Sequence, residues 1–239
     1  MPSALKEAVQ HALIRGLGFE RYLFCVSQAR IRTIAAFGYQ KDFLHFTKMI
    51  PASSVILDIG ANIGVTTYFL TRNNPTCTVH SFEPIPDNFR TLRKVAAHYK
   101  LSSVTLHECG LGEKNGPLPM VMPWIHGIPR HALCQVDNGH CTYEGTRFTV
   151  AIRRLDDIEE LYGRSDVKAI KIDVEDFEHP VFLGGLQLIH RCRPIVFCEL
   201  WESENKRRVL QLFHEMDYRV ETFEGRASGN YFLIPQEWL

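Results

Sequence analysis

The chain has no long apolar run and no excess of charge of either sign. None of its hydrophobic stretches reaches the roughly 20 residues that a membrane-spanning helix needs. Lysine plus arginine equals aspartate plus glutamate, 27 against 27, so net charge provides no attraction to nucleic acid or to an anionic membrane. The N-terminus also lacks an apolar signal-peptide core, because Lys6, Glu7 and Arg15 interrupt it. We therefore predict no membrane span and no nucleic-acid partner.

The chain also lacks the cysteine pattern of a disulfide-bonded or zinc-binding protein. Seven cysteines are an odd number with irregular spacing, which predicts a reducing, cytoplasmic location. Residues 117–145 form the least regular part of the chain, and we expect an irregular insertion there that sets acceptor specificity. Its cysteines and histidines match no standard zinc spacing, so we predict that they line a pocket and bind no metal. These residues are His126, His131, Cys134, His140 and Cys141.

What the chain does contain is a regular alternation of apolar runs and amphipathic helical segments. Its 239 residues, 45% hydrophobic and 23% charged, predict one globular domain with a short appended arm. From residue 42 onward, β-branched runs alternate with helical stretches, which predicts an α/β fold with a mostly parallel sheet. Two closing strands near residues 218–223 and 230–234 have a short link, so the last strand is predicted to be antiparallel.

The N-terminal segment, residues 1–41, is predicted to be a helical arm ahead of a main domain at residues 42–239. This arm covers the substrate side of the core or pairs two copies into a homo-oligomer, and the sequence does not choose between these. Its arginines are predicted to lie on a solvated helix face, with recognition of an acidic substrate as the alternative. They are Arg15, Arg21, Arg30 and Arg32.

Residues 54–70 read as a strand, a glycine turn and the start of a helix. Gly60 and Gly64 flank the turn, and glycine permits positive φ and close approach of the backbone to a ligand. The first N–H groups of the helix are unpaired and face whatever lies above the turn. This stretch predicts a nucleotide-binding turn.

Two residues of the turn argue against a dinucleotide. Asn62 stands where the Gly-x-Gly-x-x-Gly pattern needs its second glycine. Asp58 would repel a pyrophosphate but would attract the ammonium and sulfonium groups of S-adenosylmethionine. We therefore predict that Asp58, Gly60, Asn62 and Gly64 bind the methionine half of this cofactor.

The next two predicted strands place further cofactor contacts beside the turn. Residues 78–83 end at Glu83, one βα unit after the glycine turn. Ligands of open α/β sheets bind beyond the carboxyl ends of the strands, so Glu83 is predicted to accept both ribose hydroxyls. The third predicted strand, residues 104–109, brings Glu108, Cys109 and Gly110 next to the adenine.

Acids also end the fourth and fifth predicted strands. Asp173 and Glu175 alternate to one side of residues 167–175, and Glu199 closes residues 194–200. Acids clustered at strand ends favour a functional site. Asp173 is the preferred general base or orienting acid and a contact for the cofactor's ammonium, with Glu175, Glu199 and loop histidines as alternative bases. A metal-assisted mechanism through Asp173 and Glu199 is a further alternative.

Together these motifs resemble the FkbM family of class I S-adenosylmethionine-dependent methyltransferases. The resemblance covers about residues 42–235 and rests on residues 55–64, 82–88, 155–158 and 171–175 with Glu178. It implies a Rossmann-like sheet of seven strands with helices on both faces. It also implies S-adenosylmethionine as donor, S-adenosylhomocysteine as product, and usually methylation of a hydroxyl on a sugar or other small or lipid-linked metabolite.

One residue departs from the family pattern. The family usually has glycine where Asp176 stands, and we expect this extra acid to crowd the acceptor side.

Three other functions compete with this interpretation. An NAD-dependent oxidoreductase is opposed by Asn62. A nucleic-acid methyltransferase is opposed by zero net charge, and by the acids of residues 173–176 where such enzymes usually carry Asn/Asp-Pro-Pro-aromatic. A non-catalytic cofactor-binding module predicts cofactor binding without methyl transfer.

Overall fold

The computed structural model describes residues 3–37, 40–137, 139, 144–225 and 229–238. Its helices are α1 (Ser3–Leu17), α2 (Phe19–Phe37), α3 (Lys41–Met49), α4 (Val65–Asn73), α5 (Pro86–His98), α6 (Glu178–Leu183), α7 (Leu186–Cys192) and α8 (Glu204–Glu215). Its strands are β1 (Val55–Ile59), β2 (Thr78–Phe82), β3 (Val104–His107), β4 (Gly110–Leu111), β5 (Gly116–Ile125), β6 (Ile128–Pro129), β7 (Gln135–Val136), β8 (Gly145–Arg153), β9 (Val167–Ile172), β10 (Ile195–Glu199), β11 (Tyr218–Glu221) and β12 (Asn230–Pro235).

The central sheet has seven strands in the order β11-β12-β10-β9-β1-β2-β3. Pairing is parallel from β10 through β3, whereas β12 is antiparallel to both β10 and β11. The predicted α/β class, with its Rossmann-like sheet and antiparallel last strand, is confirmed. The strand order reverses between β1 and β9, which is where open α/β sheets bind their ligands.

β1 lies in the middle of the sheet and is buried along its whole length. Its side chains alternate between the two faces, as strand geometry requires. Leu57 packs in a core with α6, α7 and α8, whereas Ile56 packs in a second core with α2, α3 and α4. Asp58 shares the face of Ile56, so its side chain points under α4 and away from the first core.

The arm helix α2 is packed into the body of the protein. Ile31 and Ile34 are buried in the second core, and Leu23 packs against Ile63 of the glycine turn. Helix α1 lies further out and leaves four apolar side chains 39–51% exposed at every fourth position: Leu5, Val9, Leu13 and Leu17. The division at residue 41 and pairing of copies through the arm stay predictions.

A second, five-stranded sheet corrects the expectation of an irregular insertion at residues 117–145. β5 pairs antiparallel with β8, while β4, β6 and β7 extend the same small sheet. The three prolines of β5, Pro117, Pro119 and Pro123, are all at odd-numbered positions and so face the same edge of the strand. The carbonyls of Pro119 and Pro123 accept from the backbone N–H groups of Asp137 and Arg130, which lie on the edge of β5 away from β8. No bond to β8 is therefore lost, and this alternate spacing is the signal of an edge-facing strand.

Two central strands are shorter than predicted. β3 ends at His107, before Glu108. β9 ends at Ile172, and further along the chain Glu175 and Asp176 have φ values of 55° and 68°, a left-handed conformation that does not occur in a strand. Asp173 and Glu175 therefore lie on a loop instead of one strand face.

No helix in the described ranges is long and apolar enough to cross a bilayer. The six cysteines that the structure describes are all free. The cytoplasmic location stays a prediction.

Candidate active site

A cavity of about 200 Å³ lies at the carboxyl edge of the central sheet. Its floor is formed by the residues that follow β1, β2 and β9, among them Gly60, Glu83 and Asp173. The small sheet and the loop after β9 supply an apolar wall consisting of Leu118, Met120, Val136, Ile152 and Phe177. A concave site with a few convergent polar groups at this edge is the expected place for a ligand.

Glu83 lines the cavity and is only 3% exposed. Its Oε2 accepts from the backbone N–H of Asn62 at 2.8 Å, and its Oε1 accepts from the N–H of Ile85 at 2.9 Å. Burial raises the pKa of Glu83 to about 7, although these hydrogen bonds oppose the shift. The carboxylate is thus held in one orientation. Oε2 keeps acceptor capacity for a hydroxyl donor, and Oε1 gains it by giving up its long contact with Asn88.

The raised pKa of Glu83 makes the free energy of unfolding depend on pH. The carboxyl ionises near pH 4.5 in the unfolded chain but keeps its proton to about pH 7 in the folded one. The folded state therefore binds more protons in this window. We expect the Glu83 contribution to stability to fall by about 3 kcal/mol as pH rises from 4.5 to 7, and to change little outside that range. Denaturant unfolding of ligand-free protein at pH 5, 6 and 7 checks this.

The matched variant for that measurement is Glu83→Gln, which cannot ionise. Every other titrating group is common to both proteins, so the difference between the two curves isolates Glu83. We expect stability to decline more steeply with pH in the wild type. Parallel curves would contradict the raised pKa.

Asn88 is a cavity residue that the sequence analysis missed. It is 1% exposed, and its Nδ2 donates to Glu83 Oε1 at 3.4 Å and to the carbonyl of His131 at 3.3 Å. Its Oδ1 is buried without a hydrogen-bond partner in the described structure. Leaving a buried acceptor unpaired costs about 1–3 kcal/mol, so this oxygen suits a donor brought by a ligand. A hydroxyl or the exocyclic amine of an adenosine fits that requirement.

The glycine turn brings the ends of β1 and β9 into contact. Gly60 has φ 75°, and a Cβ built on it would lie 1.9 Å from the backbone oxygen of Asp173. Only glycine fits at this point. Asn62 also lines the cavity, whereas Gly64 lies at the start of α4 against Leu92 of α5 and outside the cavity lining.

Asp58 is placed differently from the prediction. It is fully buried beneath the turn and does not line the cavity. Its carboxylate accepts from Thr66 Oγ1 at 3.1 and 3.0 Å and from Thr67 Oγ1 at 2.6 Å. Lys171, another residue that we missed, is 4% exposed, donates to the Gly60 carbonyl at 2.9 Å and lies 3.7 Å from Asp58. Asp58 and Lys171 thus support the turn from below instead of facing a ligand.

Lys171 had a recognisable signal in the sequence. It is one of two lysines, with Lys168, among the apolar residues of the predicted strand, and a buried lysine is rare unless it is paired. The same ammonium lies 3.8 Å from Asp173 Oδ2. Lys171 therefore lies between Asp58, beneath the glycine turn, and Asp173, at the cavity.

The three predicted adenine neighbours separate in the structure. Gly110 lines the cavity, as does Leu111 after it. Glu108 is exposed and Cys109 is buried in the core, and neither belongs to the cavity lining. The separation follows from the early end of β3, because the chain turns to pair β4 with β8.

Carboxylates crowd the end of β9. Asp173 and Glu175 line the cavity, while Glu199 and Asp173 line a neighbouring cavity of about 70 Å³. Burial raises the pKa of Glu175 to about 7, and the nearby Asp173 and Glu199 add to the shift. Burial and Asp173 likewise raise the pKa of Glu199. Glu175 is therefore a carboxyl that exchanges its proton near neutral pH, as a general base requires.

The remaining acids of this loop point away from the cavity. Glu178 is 1% exposed and accepts from the N–H of Val174 and from Asn205 Nδ2. Asp176 is exposed and accepts from Ser203 Oγ, so the expectation that it crowds the acceptor side is wrong. Its φ of 68° also explains why glycine is usual at this position.

The small sheet and the arm close the cavity from above. A 3₁₀ turn, His131–Leu133, brings His131 Nδ1 to 3.1 Å from Asn62 Oδ1. Burial lowers the pKa of His131 to about 4, with a contribution from Arg30, so the ring is neutral at pH 7. Arg30 of α2 lines the same cavity.

No metal-binding cluster of three or more His, Cys, Asp or Glu side chains occurs in the part of the chain that the structure describes. His126 instead pairs with Glu7 of α1 at 2.9 Å, and Cys134 is buried in the cavity wall. His140 and Cys141 lie outside the described residues.

The family of the chain follows from the segment that builds this cavity. The sequence profile of the methyltransferase FkbM domain matches residues 58–220, from the glycine turn through the acids after β9 and β10. This chain belongs to the FkbM methyltransferase family. The part of α2 that carries Arg30 lies outside the matched segment.

Two curated methyltransferases align with about half of this chain. It is 31% identical over 147 residues to Methyltransferase 1 of Beauveria bassiana, covering 56% of this chain and 59% of that protein. It is 29% identical over 153 residues to the 31-O-demethyl-FK506 methyltransferase FkbM of Streptomyces tacrolimicus, covering 54% and 58%. The alignments thus span less than two thirds of these relatives' lengths.

The solved structure of an FkbM methyltransferase from Methylobacillus flagellatus shows the same fold. It superposes with a TM-score of 0.55 at 16% identity, covering 94% of this chain and 60% of that one. This likeness concerns the fold alone.

Proposed function

We propose that the protein transfers a methyl group from S-adenosylmethionine to a hydroxyl oxygen of a small acceptor molecule. The observation that carries this proposal is the shared cavity. Glu83 and Asn88 line the same space as the acids Asp173 and Glu175. Membership in the FkbM family supports methyl transfer, and the name of the Streptomyces relative specifies an oxygen as its acceptor atom.

The cavity residues divide between the two ends of the cofactor. Glu83 and Asn88 suit the adenosine hydroxyls and amine, with Gly110 beside the base. Gly60 and Asn62 border the methionine end. When bound, S-adenosylmethionine supplies an electrophilic methyl group on a sulfonium.

Residues of the acid loop would activate the acceptor. Glu175 accepts the hydroxyl proton, because its pKa lies near 7. Asp173, paired with the buried Lys171, orients the hydroxyl. Phe177 and the small sheet exclude water from one side of the cavity. Alignment of the acceptor hydroxyl with the methyl group contributes much of the rate enhancement.

The acceptor proposed is a sugar or another small or lipid-linked metabolite. The apolar wall of the cavity suits an acceptor with an apolar part next to its hydroxyl. The absence of a nucleic-acid substrate stays a prediction. Of the competing functions, the FkbM match disfavours an NAD-dependent oxidoreductase, and a non-catalytic binding module is separated by the transfer assay below.

Methyl transfer is tested with S-adenosylmethionine labelled on its methyl group and a pool of hydroxylated small metabolites. We expect label in a low-molecular-weight product, stable to base as an ether is. Protein carrying Glu83→Gln is the background control. Wild-type protein that binds S-adenosylhomocysteine but labels no acceptor would contradict the proposed activity and favour the binding module.

With a labelled acceptor in hand, Glu175→Gln is expected to lower kcat by about 10²–10³-fold, because general-base assistance is lost. The wild-type rate should rise with pH through about 7, and the variant rate should lose this rise. Asp176→Asn is the matched control, since the neighbouring acid is exposed and outside the cavity. Equal effects of the two substitutions would contradict the role of Glu175.

A further inference from the structure

The charges around the cavity are unequal in number and separated in space. Three carboxylates line it, those of Glu83, Asp173 and Glu175. In the described structure Arg30 is the sole lysine or arginine among the lining residues, and His131 is neutral. The cavity therefore offers three carboxylates to positive groups of a ligand and one guanidinium to a negative group.

Arg30 has no partner of its own in the described part of the chain. Its side chain is exposed on α2 and forms no hydrogen bond or ion pair with the residues that the structure describes. Glu20, the acid at the start of the same helix, is already paired with Arg90 and Lys94 of α5. The guanidinium is thus available to a ligand.

Arg30 is related to the glycine turn through His131. It lies close enough to His131 to affect that ring, and His131 contacts Asn62 of the glycine turn. Helix α2 meanwhile starts at Phe19, which packs against the apolar cluster of Ile85, Met122 and Cys134. Arg30 is therefore placed beside His131, whose ring contacts the glycine turn at the end proposed for the methionine part of the cofactor and whose carbonyl accepts from Asn88.

We infer that Arg30 binds the carboxylate at the amino-acid end of S-adenosylmethionine. This inference rests on the proposed function. That end of the cofactor carries an ammonium, a sulfonium and a carboxylate, and the two positive groups find acids in Asp173 and Glu175. Arg30 is the one cation in the cavity lining for the carboxylate, and a guanidinium binds a carboxylate through two parallel hydrogen bonds. The N-terminal arm then completes the cofactor site from outside the segment that the family profile matches.

Isothermal titration of Arg30→Gln with two ligands tests the inference. S-adenosylhomocysteine carries the carboxylate, and its decarboxylated analogue keeps the amine and adenosine but lacks that group. We expect the variant to bind S-adenosylhomocysteine roughly ten- to a hundred-fold more weakly than the wild type, as expected when a hydrogen bond to a charged group is lost. Its affinity for the analogue should stay within about two-fold, since Arg30 has nothing to bind there.

Arg32→Gln is the matched control, because Arg32 is an exposed arginine of the same helix outside the cavity lining. It should leave both affinities unchanged. Arg30→Lys should recover part of the loss, because it keeps the charge but not the two-pronged geometry. Equal weakening of both ligands by Arg30→Gln, or no weakening of either, would overturn the inference. Wild-type protein that binds neither ligand would instead contradict the proposed function.

Discussion

Glu83→Gln is expected to weaken binding of S-adenosylhomocysteine by about a hundred-fold or more. Two ribose hydroxyls would lose hydrogen bonds to a charged acceptor, each worth roughly 1.5–3 kcal/mol. The amide also places a donor where Glu83 now accepts from Ile85 or from Asn62. Isothermal titration at pH 8, where the wild-type carboxyl is ionised, measures the difference.

The control for this experiment is Glu108→Gln. Glu108 also follows a parallel strand of the same sheet, but it is exposed and outside the cavity lining. We expect its substitution to leave the affinity within about two-fold, as for most surface positions. Similar losses in both variants would show that the strand-end position matters, not the buried carboxylate, and would contradict the proposed role of Glu83.

Gly60→Ala is expected to destabilise the protein by about 3 kcal/mol or more. A left-handed backbone costs an alanine roughly 1–2 kcal/mol. The new Cβ would also lie 1.9 Å from the backbone oxygen of Asp173, so the ends of β1 and β9 must separate. Because both ends border the cavity, the variant should lose cofactor affinity along with stability. Urea denaturation gives the change in the free energy of unfolding.

Gly163→Ala separates the two causes. Gly163 has φ 70°, close to that of Gly60, but a Cβ added there would meet no atom within 4 Å beyond its chain neighbours. We expect this variant to lose only the backbone contribution, about 1–2 kcal/mol. Equal decreases in the free energy of unfolding for the two variants would mean that the contact between the new Cβ and Asp173 adds nothing to the destabilisation by Gly60→Ala.

Local patterns were sufficient for much of the fold. The short buried strands, the glycine turn and the strand-ending acids can each be recognised within about ten residues, and the central sheet confirms the predicted α/β class. The position of Glu83 at the sheet edge could be predicted because it depends only on where one strand stops. The small sheet was missed because its prolines resembled loop residues, and their side of the strand becomes visible only once β8 is paired with β5.

The acids after β9 show where local patterns stop being informative. Alternation along a strand placed Asp173 and Glu175 together, but the chain leaves the strand after Ile172 and enters a left-handed turn. Both still line the cavity, for a different reason than predicted. Asp176 was expected inside and lies outside, because the direction of a loop side chain depends on the turn, not on a period.

The sequence by itself determined the α/β class, the family resemblance and the positions of the glycine turn and of Glu83, since each follows from the order of residues over a short stretch. Only the tertiary structure decided which charged and polar groups meet. Asp58 lies under the turn with Lys171, Asn88 lines the cavity beside Glu83, and Arg30 reaches the cavity from the arm. These contacts join residues far apart in the chain, and side-chain direction across packed elements depends on the completed core.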